Sequence, residues 1–365
     1  MTHGESRLFL AMQESIMDEQ LVRPKLGQRP DLSRQELLAL HPLPNREPVE
    51  TAELVCVYRL VKLLVLIGGD GCCIEGASCS GRSTLIASTA LYLQADFPKI
   101  PHYVYTTQSS TLTEREFLES WLAAIGHEFR QGRDRTLRQR IHTRFMNAAA
   151  SLGARKIILP IDNAQLMHKR ELDFLIDVRG VLARHGITLV TVFFGDVGTA
   201  SELRTLAGGE SPGMWSLNLT FQLSGLGSDD VQAVFDTLDA LPFFEAGTTW
   251  TQFFMQQPWE EGWRLADHVT TFYAGLEKSG LATALRTASG KGKGERPDVP
   301  AGLLFMTLRR FLPYVGSLGD RFKLGDMPSY WDIAIRTSGY TSSDQRLSEA
   351  LPLFGLPRGG QSGRR

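Results

Sequence analysis

Apolar positions along the chain change their spacing twice. Between Glu50 and Leu66, the residues Leu54, Val57, Val61 and Leu64 recur at three- and four-residue steps, which places them on one face of a helix. From Cys72 onward, short and nearly continuous apolar runs alternate with such helical stretches. The runs are Cys72 to Ile74, His102 to Thr106, Lys156 to Asp162, Ile187 to Phe194 and Trp215 to Leu223. A strand buried on both faces reads as an unbroken apolar run, so this alternation predicts an α/β fold, a parallel sheet covered by helices on both sides. From Ser228 onward only the helical period remains, over Asp229 to Leu238, Gly262 to Leu276, Leu281 to Thr287 and Gly302 to Leu312.

The same pattern sets the expected limits: an N-terminal extension over 1–48, an α/β domain over 49–223, a small helical domain over 224–312 and a C-terminal tail over 313–365. Five prolines between Pro24 and Pro48 predict an extended arm, with a short helix over Ser33 to Leu40. Ser289 to Pro297, rich in glycine and lysine, predicts a flexible basic connection. Beyond Pro313 the periodicity fades, and Pro357 to Arg365 reads as a disordered cationic tail.

Between the first apolar run and the helical stretch Leu85 to Leu93 stand Gly76, Ala77, Ser78, Cys79, Ser80, Gly81, Arg82, Ser83 and Thr84. Their spacing is that of the G-x-x-x-x-G-K-[ST] loop, whose backbone N–H groups turn inward around phosphate oxygens while the next helix aims its positive end at them. Ser83 is placed to offer a hydroxyl to Mg²⁺. Arg82 stands where the loop has lysine; it keeps the charge but replaces a compact ammonium with a wide planar fork. The run Lys156 to Asp162 ends in an acid, the usual second holder of Mg²⁺ beside bound phosphates. Asn163 follows it where an ATPase commonly has a glutamate, and an amide cannot take a proton from water. Both departures favour binding over turnover. Asp196 or Thr191 is a candidate γ-phosphate sensor, and Arg204 or Arg179 a candidate finger reaching a neighbouring subunit's nucleotide.

Composition changes this picture little. The chain of 365 residues is 42% apolar and 22% charged, and its formal net charge is −1, so any nucleic-acid partner must meet a local patch. One such patch is present: Arg130, Arg133, Arg135, Arg138, Arg140 and Arg144 face only Asp134 within the same run. Cys56, Cys72, Cys73 and Cys79 show no paired zinc spacing, and the N-terminus lacks the layout of a signal peptide. Arg59 and Lys62 interrupt the most apolar stretch, Leu54 to Ile67. A reduced, cytoplasmic protein without a membrane span is expected.

The two signatures, the strand layout and the trailing helices together resemble an AAA+ ATPase, in which a P-loop parallel sheet sandwiched by helices is followed by a helical lid. Within that class, Tyr103 to Gly126, the sequence Asp162-Asn163-Ala164-Gln165, and Phe193-Phe194-Gly195 are similar to the transposition regulators of the TniB/TnsC type, over roughly residues 50–290. Gln165 matches that subgroup's D-E-x-Q. The resemblance implies ATP with Mg²⁺ as cofactors, held by the loop and Asp162. It implies a homo-oligomer, ring or filament, on duplex DNA without sequence preference, linking a target selector to a transposase. Asn163 then replaces the catalytic glutamate, so hydrolysis is weak or absent. Thr107, Gln108 and Ser109 become DNA-facing with the arginine run. Two other readings stay open: a competent ATPase in which Glu171 or Asp196 restores the missing acid, and a nucleotide-gated signalling or defence switch that binds protein and not DNA.

Overall fold

The computed structural model describes residues 33–77, 79–108, 113–208, 217–243 and 247–340. Each expected apolar run supplies a strand: β1 (Gly71–Gly76), β2 (Tyr105–Thr106), β3 (Lys156–Asp162), β4 (Thr188–Gly195) and β5 (Thr220–Leu223). Trp215, where the last run was expected to begin, lies outside the described residues. The strands form one sheet in the order β2-β3-β4-β1-β5, and every pairing is parallel. Successive side chains of a strand point to opposite faces, and burial follows that rule. Cys72, Ile74, Ile158, Val190, Val192 and Phe194 pack on one face, while Cys73, Ile157, Leu159, Ile161, Leu189 and Phe193 pack on the other.

The first face is covered by α2 (Ala52–Ile67) and α3 (Arg82–Asp96), the second by α4 (Glu114–Ala124), α5 (Asp134–Leu152) and α6 (Lys169–Arg184). A shorter helix, α7 (Thr199–Leu206), follows β4, and α1 (Arg34–Leu40) precedes them all. Local chemistry sets several of these ends. Thr113 and Glu116 form the reciprocal cap that opens α4, Ser33 and Glu36 do the same for α1, and Gly68 closes α2 in the left-handed region.

The remaining helices are α8 (Ser228–Ala240), α9 (Trp250–Phe254), α10 (Gln256–Glu260), α11 (Val269–Ser279), α12 (Leu281–Ser289), α13 (Ala301–Gly316) and α14 (Met327–Thr337), and all but α10 share a separate core. Trp331 of α14 stacks on Phe311 and on Phe235, and Gly275 leaves room for it, since a Cβ there would lie 2.4 Å from that of Trp331. Helical packing therefore continues past residue 312, where the tail was expected to begin. Pro313 lies inside α13 and does not end it. Leu43 and Val49, ahead of α2, are buried in this same core, with His41 packed among Phe243, Trp250, Phe253 and Phe254. Among the described residues no helix is long and apolar enough to cross a membrane.

Candidate functional site

Parallel pairing sets the carboxyl ends of β1, β3 and β4 side by side, with Glu75 opposite Gly195 and Phe193 shared between Cys73 and Ile161. In an open parallel sheet this edge is where ligands bind. The phosphate loop, Ser83, Asp162 and Asn163, all expected site residues, meet there. The phosphate loop leaves β1 at Gly76 and enters α3 at Arg82, with Gly81 in the left-handed region at φ 90° as the residue before the helix. Ser80 N–H donates to the Ala77 carbonyl at 3.1 Å, while the Ser80 hydroxyl is buried and has no protein partner. Ser78 lies outside the described residues, and Cys79 is exposed at the turn.

Ser83 Oγ donates to Asp162 Oδ2 at 3.0 Å, which brings together the hydroxyl and the carboxylate expected to serve Mg²⁺. The other oxygen of Asp162 accepts the Asn163 N–H at 2.9 Å, and Asn163 itself is held at φ 55°. Gln165 stands in the next turn, its Oε1 buried and without a protein partner. The arrangement can bind a metal-bound phosphate chain, since Mg²⁺ takes one or two carboxylates and completes its shell with water and phosphate oxygens. Among the described residues, the two acids expected to stand in for the missing glutamate are both engaged. Glu171 is buried and caps the start of its own helix by accepting the His168 N–H at 2.9 Å; burial raises its pKa. Asp196 is tied to Arg82 at 2.6 Å.

Arg82 does not point free into the cavity. Its Nη1 donates both to the Gly76 carbonyl at 2.8 Å and to Asp196 Oδ1. The loop is fixed from its other end by Glu75, which sequence reasoning missed because an acid inside a buried run carries no motif. The Glu75 carboxylate accepts the Ala200 N–H at 2.7 Å, the Gly198 N–H at 3.2 Å and the Gln222 amide at 2.8 Å. Residues 196–200, ahead of and entering α7, are thus bound to groups on both flanks of the phosphate loop. Arg204 is exposed on that same helix.

A cavity of about 300 Å³ opens beside the loop, lined by Gly81, Arg82, Ser83 and Asn163 on one side and by α13 and the segment ahead of α2 on the other. The start of α13 touches the loop directly. A Cβ on Gly302 would lie 2.3 Å from the Cys79 carbonyl oxygen, so only glycine permits this approach.

Other expected residues are placed elsewhere. Thr191 pairs with Gly71 at the opposite end of β1, too far down the strand to sense a phosphate at Gly76. Arg179 forms an ion pair with Asp70 at 2.9 Å at that same far end. Thr107 is buried, its N–H donating to the Asp162 carbonyl at 3.0 Å, so it faces the sheet and not a partner; Gln108 is exposed, and Ser109 lies outside the described residues. Within the arginine run, Arg138 pairs with Glu114 at 2.8 Å over the ring of Phe174. Arg140 donates to the Gln131 carbonyl at 2.6 Å, and Arg144 to that of Ile125. These three hold α5 to the start of α4, to the loop between the helices and to Ile125 just past the end of α4. Arg130, Arg133 and Arg135 are exposed.

No family model matches the chain, and no curated protein matches it in sequence. Solved structures share its fold. The ORC2 protein of Aeropyrum pernix in its ADP form is 12% identical, with a TM-score of 0.50 over 93% of this chain and 85% of that one. The A. pernix ORC1 protein in complex with DNA is 14% identical, with a TM-score of 0.46 over 80% and 68%. Drosophila ORC bound to DNA is 13% identical, with a TM-score of 0.47 over 95% and 82%. The fold shared with the ORC2 structure is of the AAA+ type: a parallel α/β sheet with a helical region after it.

Proposed function

We propose that the chain binds ATP with Mg²⁺ between the phosphate loop and α13, turns it over slowly or not at all, and in the ATP-bound state assembles on duplex DNA as a regulator of transposition. The observation that carries this reading is the fate of the carboxylates around Asp162. Among the described residues Ser83 and Asp162 stand together as binding groups, whereas Asn163 is an amide, Glu171 caps its helix and Asp196 is bound by Arg82, which supports binding over turnover. Ser83 and Asp162 would hold the Mg²⁺, which neutralises charge on the outer phosphates. Arg82 would keep Asp196 on Nη1 and turn its other N–H groups toward the phosphates. The nucleotide reading is supported by the fold shared with a protein whose structure is described as an ADP form.

Assembly on DNA, and the link from a target selector to a transposase, rest on the TniB/TnsC resemblance together with the exposed Arg130, Arg133 and Arg135. Arg204, on the helix tied to both flanks of the loop, is the arginine proposed to reach a neighbour's nucleotide. Sedimentation and duplex retention with and without ATP test the proposal together. Growth of the particle and salt-sensitive retention of random duplex are expected only with ATP. An unchanged particle that never retains DNA would favour the switch that binds protein.

A further inference from the structure

The cavity beside the phosphate loop has a second cationic end, formed by Arg46 and Arg309. One carbonyl joins them: Leu43 O accepts Arg46 N–H at 3.2 Å and Arg309 Nε at 2.9 Å. The Arg309 bond uses Nε alone and leaves the two Nη groups for another partner. Among the described residues neither arginine forms an ion pair with a carboxylate. Of the acids on the cavity wall, Glu53 accepts the Gly225 N–H at 2.9 Å, and burial raises its pKa; Glu47 is exposed and bridges neither arginine. Arg46 is also held at φ 61°, a left-handed backbone that residues other than glycine rarely adopt and that tends to persist at ligand sites.

Position along α13 tells what the second end meets. Gly302, Phe305, Met306 and Arg309 share one helix face and line the cavity in that order. Gly302 abuts the phosphate loop, so Arg309 lies about 10 Å further along the axis at ~1.5 Å per residue. A nucleotide with its 5′ phosphates on the loop would pass an apolar middle and then meet two guanidinium groups. A neutral base does not answer that charge, whereas a phosphate monoester accepts the paired Nη donors of an arginine in a charge-assisted fork. We propose that Arg46 and Arg309 form an anion subsite for a phosphate on the ribose of a nucleotide whose 5′ phosphates occupy the loop. This rests on the nucleotide reading above and names the ligand class more narrowly.

The test is calorimetric titration of the full chain with ADP, adenosine 2′-phosphate 5′-diphosphate and adenosine 3′-phosphate 5′-diphosphate. The parent, Arg46→Gly and Arg309→Gln are compared, and the readout is the ratio of affinities within each protein. Glycine accepts the left-handed backbone, so Arg46→Gly removes the charge without straining the fold. At least one ribose-phosphorylated ligand should bind the parent about tenfold tighter than ADP or better, and the ratio should fall toward one in both variants. The arm that wins says whether the 2′ or the 3′ phosphate is read. Equal affinities in the parent, or a preference that survives both substitutions, would overturn the subsite while leaving nucleotide binding intact. Failure of the parent to bind ADP or ATP at all would overturn the nucleotide reading and the subsite with it.

Discussion

Arg82 is engaged by two partners of its own chain, the Gly76 carbonyl and the Asp196 carboxylate. Neither bond could be read from the sequence, which shows only that an arginine replaces a lysine. Both bonds come from Nη1, and the guanidinium carries further N–H donors on Nε and Nη2 that a lysine's single ammonium would lack. Asn163 carries the catalytic consequence. Replacing it with glutamate restores a proton acceptor next to Asp162, and steady-state phosphate release should rise by about tenfold or more, within the range a positioned general base contributes. No change would mean that Arg82, held by Asp196, is also limiting. His41 gives a separate prediction at this scale. Burial among four aromatic rings lowers its pKa from 6.5 to about 4, and its ring accepts the Leu43 N–H at 3.1 Å. The folded state thus binds fewer protons there than the unfolded chain does. Its stability should be full above pH 6.5 and decline as pH falls from 6.5 toward 4. Melting temperatures across that window should fall, and less steeply in His41→Gln.

At the scale of elements, the pattern of apolar positions located all five strands and the helices on either side of β1, because burial on one or two faces is written directly in residue spacing. It missed α9, α10 and α14. The first two are five residues each, too short for a period to show, and α14 is held by the stacking of Trp331 against Phe235 and Phe311, rings distant in sequence. The phosphate loop and Asp162 were legible because each has a motif. Glu75, Arg46 and Arg309 were not, since their roles come from tertiary neighbours. The arginine run is the instructive case: its charge was visible, but not that Arg138, Arg140 and Arg144 bind α5 to its surroundings. Arg138→Ala should therefore cost about 1 kcal/mol of stability in denaturant, by removing the half-exposed Glu114 pair and the packing on Phe174, while leaving DNA affinity's salt dependence alone. Substituting exposed Arg133 or Arg135 should do the reverse. Each arginine–phosphate pair removed in this way should flatten the log–log salt slope by about 0.9, read by fluorescence anisotropy on random duplex.

For the whole molecule, we propose that this fold holds ATP and keeps it. The site joins the sheet to the helical region through Gly302 against Cys79, and the segment from His41 to Val49 is anchored in the helical core while it borders the same cavity. A ligand there touches both parts at once, which is how occupancy would reach surfaces used for assembly. The most direct measurement mixes excess protein with a trace of radiolabelled Mg·ATP, traps the complex on a filter and identifies the retained nucleotide over time. Retained label that is still ATP after minutes is the expected result, with retention abolished by Asp162→Ala or Ser83→Ala. Conversion to ADP on the order of 1 s⁻¹ or faster, the pace of an ordinary ATPase, would contradict the claim, as would a failure to retain label at all.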